Sequence, residues 1–298
     1  MGYLWRFFEP GGLERQRLRH ALSATVLHFF LPALAFGLVA TARVDATFIS
    51  IPLTAAVTTL IGMAAGGVVN GFFPKIRPLP RQAKGVLLLA AAFGNVTYLG
   101  LPVITEMLGQ GQGYVAILYD QLAATPILLT AGVFIAARYG EKNKAASISH
   151  ALKRVLKLPP LWAVLTAVAV NLSGAPVPKM VMDAARLMGG AVIPVMIFTV
   201  GLALDFGDIK RLPLALPALV LKLFAAPLIA YYAGLEFGVT GDALMAVVIE
   251  GAMPVMVLSL VIADELGLDV PLAAMCITVS TVASFFTVPM TMKLIFGV

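Results

Sequence analysis

The sequence predicts an all-α integral membrane protein with about nine spans, built from two inverted repeats that each contain one broken helix. The first observation is composition: 60% of the 298 residues are hydrophobic and 12% are charged, against roughly 25% charged in soluble domains. The second is that long apolar segments alternate with short polar loops. The third is that two of these segments contain glycine and proline near mid-length, where both residues weaken a helix.

The first half of the chain, residues 1–138, contains four predicted spans. A basic loop at residues 10–20 precedes them, and a basic, proline-rich loop at residues 73–84 separates the second span from the third. We expect the third span to be a crossover helix, meaning a membrane helix whose backbone is interrupted at mid-depth. The four spans cover about residues 21–41, 48–72, 86–108 (the crossover helix) and 114–137.

The second half, residues 158–298, contains five predicted spans and follows a hydrophilic linker at residues 139–157 that we expect to be cytoplasmic. Its fourth span is a second crossover helix. The two crossover helices take matching positions if the first repeat lacks one helix at its start, and an odd number of helices per repeat inverts the second copy. Whether the chain begins here or at an upstream start codon stays open. The five spans cover about residues 161–172, 186–204, 213–232, 244–261 (the crossover helix) and 270–296.

Charge placement predicts the orientation of the chain. With a cytoplasmic amino terminus, nine spans place 16 of the 21 basic residues in cytoplasmic loops or at cytoplasmic span ends. This asymmetry is what the positive-inside rule requires. We therefore expect a protein of the plasma membrane, here a bacterial inner membrane, with an external carboxyl terminus.

The first crossover helix concentrates polar and helix-breaking residues between Phe93 and Pro102. A break at this depth frees backbone groups that lipid cannot satisfy, so it should line a cavity or pack against protein. Asn95 could simply hydrogen-bond to a neighbouring helix, but its place beside Gly94 favours contact with a solute. Amides at the start of a half-helix would favour an anionic group. The predicted substrate-binding residues are Gly94, Asn95, Thr97, Tyr98 and Met253, and the predicted break-forming residues are Gly100, Pro102, Gly251 and Pro254.

Polar residues inside the predicted spans are candidates for ion coupling: Asp120, Gln121, Lys222 and Glu250. A charged side chain at the bilayer centre costs about 2.5–3.5 kcal/mol, so none of them should face lipid. Glu250 could form a structural ion pair with Lys222, or it could bind H+ or Na+ during transport. Asp120 and Gln121 could likewise bind a coupling ion or cap a kink. Acids at span ends are expected to be solvated, namely Asp205, Asp208, Asp264, Glu265 and Asp269, and His28 is expected to be an interior histidine.

Other function classes lack their motifs in this sequence. The three histidines are scattered and there is one cysteine, so we expect no metal site, no disulfide and no catalytic triad. No phosphate-binding glycine loop and no repeated pore motif is present. We therefore expect neither an enzyme nor a channel, with no cofactor and no nucleic-acid partner.

Four segments carry a family resemblance, namely residues 95–102, 193–204, 221–228 and 250–269. In this order they resemble the auxin efflux carrier family, which includes plant auxin carriers and bacterial malonate or malate permeases. The resemblance implies membership of the superfamily of bile-acid, arsenite and auxin transporters. It also implies a ten-helix inverted-repeat fold like that of sodium/proton antiporters and bile-acid symporters, an elevator mechanism, a homodimer and an organic-anion substrate. The chain departs from the family at the missing first helix and at Glu250, where a neutral polar residue is expected.

The function predicted from these observations is secondary active transport of a small organic anion, such as a mono- or dicarboxylate. We expect alternating access by movement of the part that contains the crossover helices, against a scaffold of spans one, five and six. The alternatives are a membrane sensor that binds without transport and a carrier of a non-anionic solute. Substrate identity, direction of transport and the coupling ion are not determined by the sequence.

Overall fold

The computed structural model describes residues 2–72, 79–141 and 148–298, and in these residues the regular structure is helical. Parts of the predicted basic loop and of the predicted linker, residues 73–78 and 142–147, lie outside the described residues. A short helical turn, Trp5–Phe8, precedes twelve helices. They are α1 (Arg15–Thr41), α2 (Thr47–Phe72), α3 (Arg81–Ala92), α4 (residues 96–107), α5 (Gln110–Tyr139), α6 (Ile148–Leu156), α7 (Pro159–Ser173), α8 (Lys179–Ala203), α9 (Ile209–Glu236), α10 (Gly241–Ala252), α11 (Leu258–Leu266) and α12 (Val270–Phe296).

Six helices of the described chain are long and apolar enough to cross a membrane: α1, α2, α5, α8, α9 and α12. Helix α7 is apolar but shorter. The remaining apolar helices form two interrupted pairs, α3 with α4 and α10 with α11. These helices confirm the predicted integral membrane protein; nine spans and inverted repeats stay predictions.

Some helix boundaries differ from the predicted ones. Helix α8 begins at Lys179 instead of residue 186. Helix α7 begins at Pro159 instead of residue 161, because proline is well suited to the first turn of a helix. Helix α6 lies inside the predicted hydrophilic linker. The linker is therefore partly helical where the structure describes it.

Four helices contain a wide, π-helical turn that precedes a proline. Proline cannot donate a hydrogen bond to the carbonyl four residues earlier, and a wider turn accommodates the lost bond. In each case the proline lies four residues beyond the middle of the turn. The turns and their prolines are Val26–Phe30 with Pro32, Val96–Gly100 with Pro102, Asp120–Ala124 with Pro126, and Leu221–Ala225 with Pro227. Three of the predicted ion-coupling residues, Asp120, Gln121 and Lys222, therefore lie in wide turns.

The helices pack in two groups. In the scaffold group, the second half of α1 packs against α7 and against the first half of α8. Asn171 of α7 donates hydrogen bonds to the carbonyls of Val39, Ala40 and Ala42 at 2.9, 3.1 and 2.8 Å, which satisfies the exposed end of α1. The crossover group consists of α2–α5 and α9–α12, in which α2 packs on α3 and α9, and α10 packs on α9 and α12.

The outer surface carries large apolar side chains, as lipid contact requires. Examples are Leu187 on α8, 81% exposed, and Phe286 on α12, 75% exposed. His28 is also exposed on α1, where its Nδ1 bonds the Ala24 carbonyl at 3.0 Å. The prediction of an interior histidine is wrong, because the His28 ring is exposed and forms its hydrogen bond with a carbonyl of its own helix.

Candidate functional site: two crossed helix breaks

Each crossover helix is interrupted over a few residues. The first break, residues 93–95, begins with extended backbone at Phe93 (φ −104°, ψ 119°). The second break, residues 253–257, begins with extended backbone at Met253 (φ −62°, ψ 144°). Pro254 lies in the second break, whereas the three other predicted break-forming residues lie within helices: Gly100, Pro102 and Gly251. The first interruption is therefore shorter than the predicted one, and the second begins at Met253 instead of Gly251.

The two breaks bond to each other. Gly94 and Val255 form an antiparallel bridge. The backbone amide of Asn95 donates to the Pro254 carbonyl at 2.7 Å, and the backbone amide of Met256 donates to the Phe93 carbonyl at 3.0 Å. The Val255 amide donates to Ser280 Oγ of α12 at 3.0 Å. Each break thus satisfies backbone groups that the other would leave unpaired in lipid.

This bridge brings four helix ends together around Asn95. Helices α4 and α11 begin beside it, and helices α3 and α10 end beside it. The first amides of a helix lack intrahelical partners and carry partial positive charge. The Asn95 side chain is 2% exposed, and its Nδ2 has no hydrogen-bond partner in the described residues. The crossing therefore contains a buried side-chain donor, Asn95 Nδ2, that is free to bind a ligand beside the first turns of α4 and α11.

Lys222 is buried between the two breaks. Its Nζ donates a hydrogen bond of 2.6 Å to the Gly251 carbonyl, in the last turn of α10. A β-carbon on Gly94 would lie 3.0 Å from Lys222 Cε and 3.1 Å from Nζ, so the absent side chain leaves room for the lysine. The ammonium group compensates the partial negative charge at the end of α10.

Glu250 is the buried acid of the second crossover helix. Its side chain is 1% exposed, and neither carboxylate oxygen has a hydrogen-bond partner in the described residues. A methyl group on Gly100 would overlap this carboxylate, which places Glu250 against α4. The ion pairs of the described residues do not include Glu250 with Lys222. The interpretation as a structural ion pair therefore does not describe this conformation, since Lys222 donates to a carbonyl instead.

Asp120 holds the wide turn of α5 against the start of α4. It accepts hydrogen bonds from the Thr97 hydroxyl, from Thr125 Oγ1 at 2.7 Å and from Gln121 Nε2 at 2.9 Å. Gln121 Oε1 has no partner within the part of the chain that is described. Thr97 therefore links α4 to α5, because its hydroxyl donates to Asp120.

The predicted site residues divide into those that converge and those that do not. Gly94, Asn95, Thr97 and Gly100 lie with Asp120, Lys222 and Glu250 around the crossing. The Tyr98 side chain instead lies near Ser23 of α1, and Met253 packs in the hydrophobic core. Sequence reasoning missed Ser280, Thr125 and Ser23. The proline after Thr125 is a signal for a wide turn there, but nothing local distinguishes either serine from other membrane serines.

A cavity of about 980 Å³, here called the vestibule, lies beside α11. It extends along α11 from Leu260 to Glu265, and the first turns of α1 and the α8–α9 loop form other parts of its wall. Acids at the vestibule were expected to be simply solvated, but several are ion-paired. The pairs are Arg15 with Asp205 at 3.3 Å, Arg154 with Glu265 at 3.1 Å, and Arg211 with both Asp208 at 2.9 Å and Asp269.

Comparisons with known proteins agree with a transport role. A family model described as membrane transport protein matches residues 11–292. An uncharacterized transporter of Methanothermobacter thermautotrophicus is 29% identical over an alignment of 302 positions, which covers 97% of this chain and 92% of that protein. An uncharacterized transporter of Methanocaldococcus jannaschii is 22% identical over 293 residues, with the same coverage of both chains. Neither name specifies a substrate.

Proposed function

This chain belongs to the family of membrane transport proteins, and we propose that it is a secondary active carrier for a small organic anion such as a mono- or dicarboxylate. The family match agrees with the resemblance to auxin efflux carriers, and the subtype close to malonate or malate permeases is part of the proposal. The observation that carries it is the crossing of the two breaks, where Asn95 Nδ2 is buried without a partner in the described residues.

The charge distribution at the crossing favours an anion. Two helix starts present partial positive charge, and the Lys222 ammonium lies beside Gly94. Anionic groups of substrates bind at half-helix starts in transporters with broken helices. In this proposal a carboxylate accepts hydrogen bonds from Asn95 and from the first amides of α4. Tyr98 and Met253 border the solute in the conformation that admits it.

Contacts between loops support the proposed nine spans and inverted repeats. Residues in loops and at span ends that nine spans place on the cytoplasmic side contact one another, and those placed outside do the same. The cytoplasmic contacts are Arg15 with Asp205, Arg81 with the Arg138 carbonyl, Arg154 with Glu265, and Arg211 with Asp269; the external ones are Ser50 with the Phe237 carbonyl and Asn171 with the Ala42 carbonyl. We place the protein in a bacterial inner membrane with this orientation.

The two packing groups support an elevator mechanism. The scaffold group contains the spans expected to stay fixed, and the crossover group contains both breaks and all the buried charges of the site. In this proposal the crossover group moves relative to the scaffold and exposes the site alternately to each side. The proposed homodimer would bury the apolar groove between α1 and α8, which is lined by Phe29, Phe36 and Met180.

Uptake by purified protein in proteoliposomes tests the proposed function. We expect saturable uptake of radiolabelled malonate, malate or succinate. Binding of one of these anions, measured by thermal shift, without any uptake would favour the sensor. If the folded protein neither binds nor transports any of them, the organic-anion assignment is wrong and non-anionic solutes become the next class to test.

A further inference from the structure

The two buried carboxylates near the crossing have opposite surroundings. Asp120 accepts hydrogen bonds from three side chains, whereas Glu250 accepts none in the described residues. Hydrogen-bond donors stabilise the ionised form of a carboxylate, and burial without donors disfavours it strongly. Glu250 is therefore the buried carboxylate at the crossing whose ionised form has no hydrogen-bond donor among the described residues, and we take it as the candidate proton site.

The charged groups packed around Glu250 act on it in opposite directions. Asp120 and Lys222 interact electrostatically with the carboxylate, and so does Tyr119. Negative charge on Asp120 opposes ionisation of Glu250, whereas positive charge on Lys222, which donates to the Gly251 carbonyl, favours it. Of the other helices packed on α10, α4 carries Tyr98 and the exposed Glu106, α2 carries no titratable side chain, and α12 carries the buried Cys276 at its middle.

We propose that Glu250 binds and releases the proton that couples anion transport to the proton gradient, as symport. The inference rests on the proposed anion site at the crossing. An ionised Glu250 would place a second negative charge, beside that of Asp120, close to the bound anion. A proton from solution joins one oxygen of Glu250 as the anion binds, and both leave on the other side of the membrane. Because binding linkage is reciprocal, the proton raises anion affinity by the same factor as the anion raises proton affinity.

A proton fits this position better than a sodium ion. A proton needs only one carboxylate oxygen of Glu250, whereas a sodium ion also needs several further oxygen ligands. The Gly251 carbonyl at the end of α10 already accepts a hydrogen bond from Lys222. Sodium dependence without pH dependence is accordingly an outcome that would overturn the inference.

Infrared difference spectroscopy of the ligand-free protein tests the proton site without any substrate. Spectra are recorded between about pH 5 and pH 9, where an ordinary glutamate is mostly or fully ionised. At the lower end of this range we expect the C=O stretching band of a protonated carboxylic acid. The band should disappear as pH rises, should be absent in Glu250→Gln, and should remain in Asp120→Asn. Glu106→Gln is the matched control, since Glu106 is exposed on α4. A wild-type protein without this band, or one whose band persists in Glu250→Gln, would overturn the inference.

Malonate binding to purified protein tests the coupling itself. Between about pH 7 and pH 9 we expect the apparent Kd of the wild type to rise by up to about tenfold per pH unit, with about one proton taken up per malonate bound. In Glu250→Gln about one proton fewer should be taken up per malonate bound than in the wild type, and the dependence of the affinity on pH should be correspondingly weaker. Binding that is pH-independent in the wild type overturns the inference. The infrared band of Glu250 together with no binding of malonate, malate or succinate supports the proton site and contradicts the organic-anion function.

Discussion

The Lys222 ammonium donates a 2.6 Å hydrogen bond to the Gly251 carbonyl and lies against Gly94, so one side chain contacts both crossover helices. Gly251 is in the last turn of α10, and Gly94 is in the first break. The lysine comes from a third helix, α9, whose wide turn brings it to this depth. It is therefore both a structural link between the helices and the positive charge nearest to the proposed anion site.

Lys222→Met removes this charge while keeping an unbranched apolar side chain. We expect the affinity for malonate to fall by at least about tenfold, equal to about 1.4 kcal/mol of binding free energy, because the anion loses the nearest positive charge. Binding can be measured by calorimetry on the purified protein. Lys210→Met is the control, since Lys210 is exposed in the first turn of α9. Equal affinities in the two variants would contradict the role given to Lys222.

Gly100→Ala tests the packing of Glu250 against α4. The added methyl group would overlap the Glu250 carboxylate, so we expect the free energy of unfolding to fall by about 1–3 kcal/mol, the usual range for overpacking. The melting temperature in detergent should fall accordingly. Gly71→Ala is a suitable control, because among the described residues no atom beyond the neighbouring residues and backbone of its own helix lies within 4 Å of a β-carbon at Gly71.

The double variant Gly100→Ala with Glu250→Ala shows whether the overlap is the cause. Removal of the carboxylate leaves room for the methyl group, so the two substitutions should be less destabilising together than the sum of their separate effects. Strict additivity would mean that Gly100 and Glu250 do not contact each other as the structure has them.

Thr97→Val tests the link between α4 and α5. The Thr97 hydroxyl donates to Asp120, and loss of a hydrogen bond to a charged group lowers the free energy of unfolding by about 1.5–3 kcal/mol. Thr130→Val makes the same chemical change where the hydroxyl donates only to carbonyls of its own helix. A thermal-unfolding comparison should show a clearly larger loss for Thr97→Val, and the reverse order would contradict the link.

Local sequence signals predicted the crossover helices but not their contacts. Glycine, asparagine and proline within long apolar segments mark both breaks, because these residues act on their own backbone. The bond from Thr97 to Asp120 joins residues 23 positions apart, and that from Lys222 to Gly251 joins residues 29 positions apart. Such pairs depend on how helices cross, which no local pattern contains.

The wide turns could have been predicted from the sequence. Pro126 and Pro227 stand a few residues after Asp120 and Lys222, and a proline in a membrane helix predicts a locally altered hydrogen-bond ladder. The vestibule was not predictable in this way. Arg15 and Asp205 are 190 positions apart, and only the packing of α1 near the α8–α9 loop makes them an ion pair.

The most direct test of the central claim is malonate binding to Asn95→Ala, measured by calorimetry beside the wild type. The account predicts that the wild type binds malonate and that Asn95→Ala, still folded, does not bind measurably, because the uncommitted amide at the crossing is lost. Asn70→Ala is the control; it removes an amide that donates to the Lys84 carbonyl at 2.9 Å, away from the breaks, and should retain binding. Wild-type affinity in Asn95→Ala would contradict the proposal that the crossed breaks form the anion site.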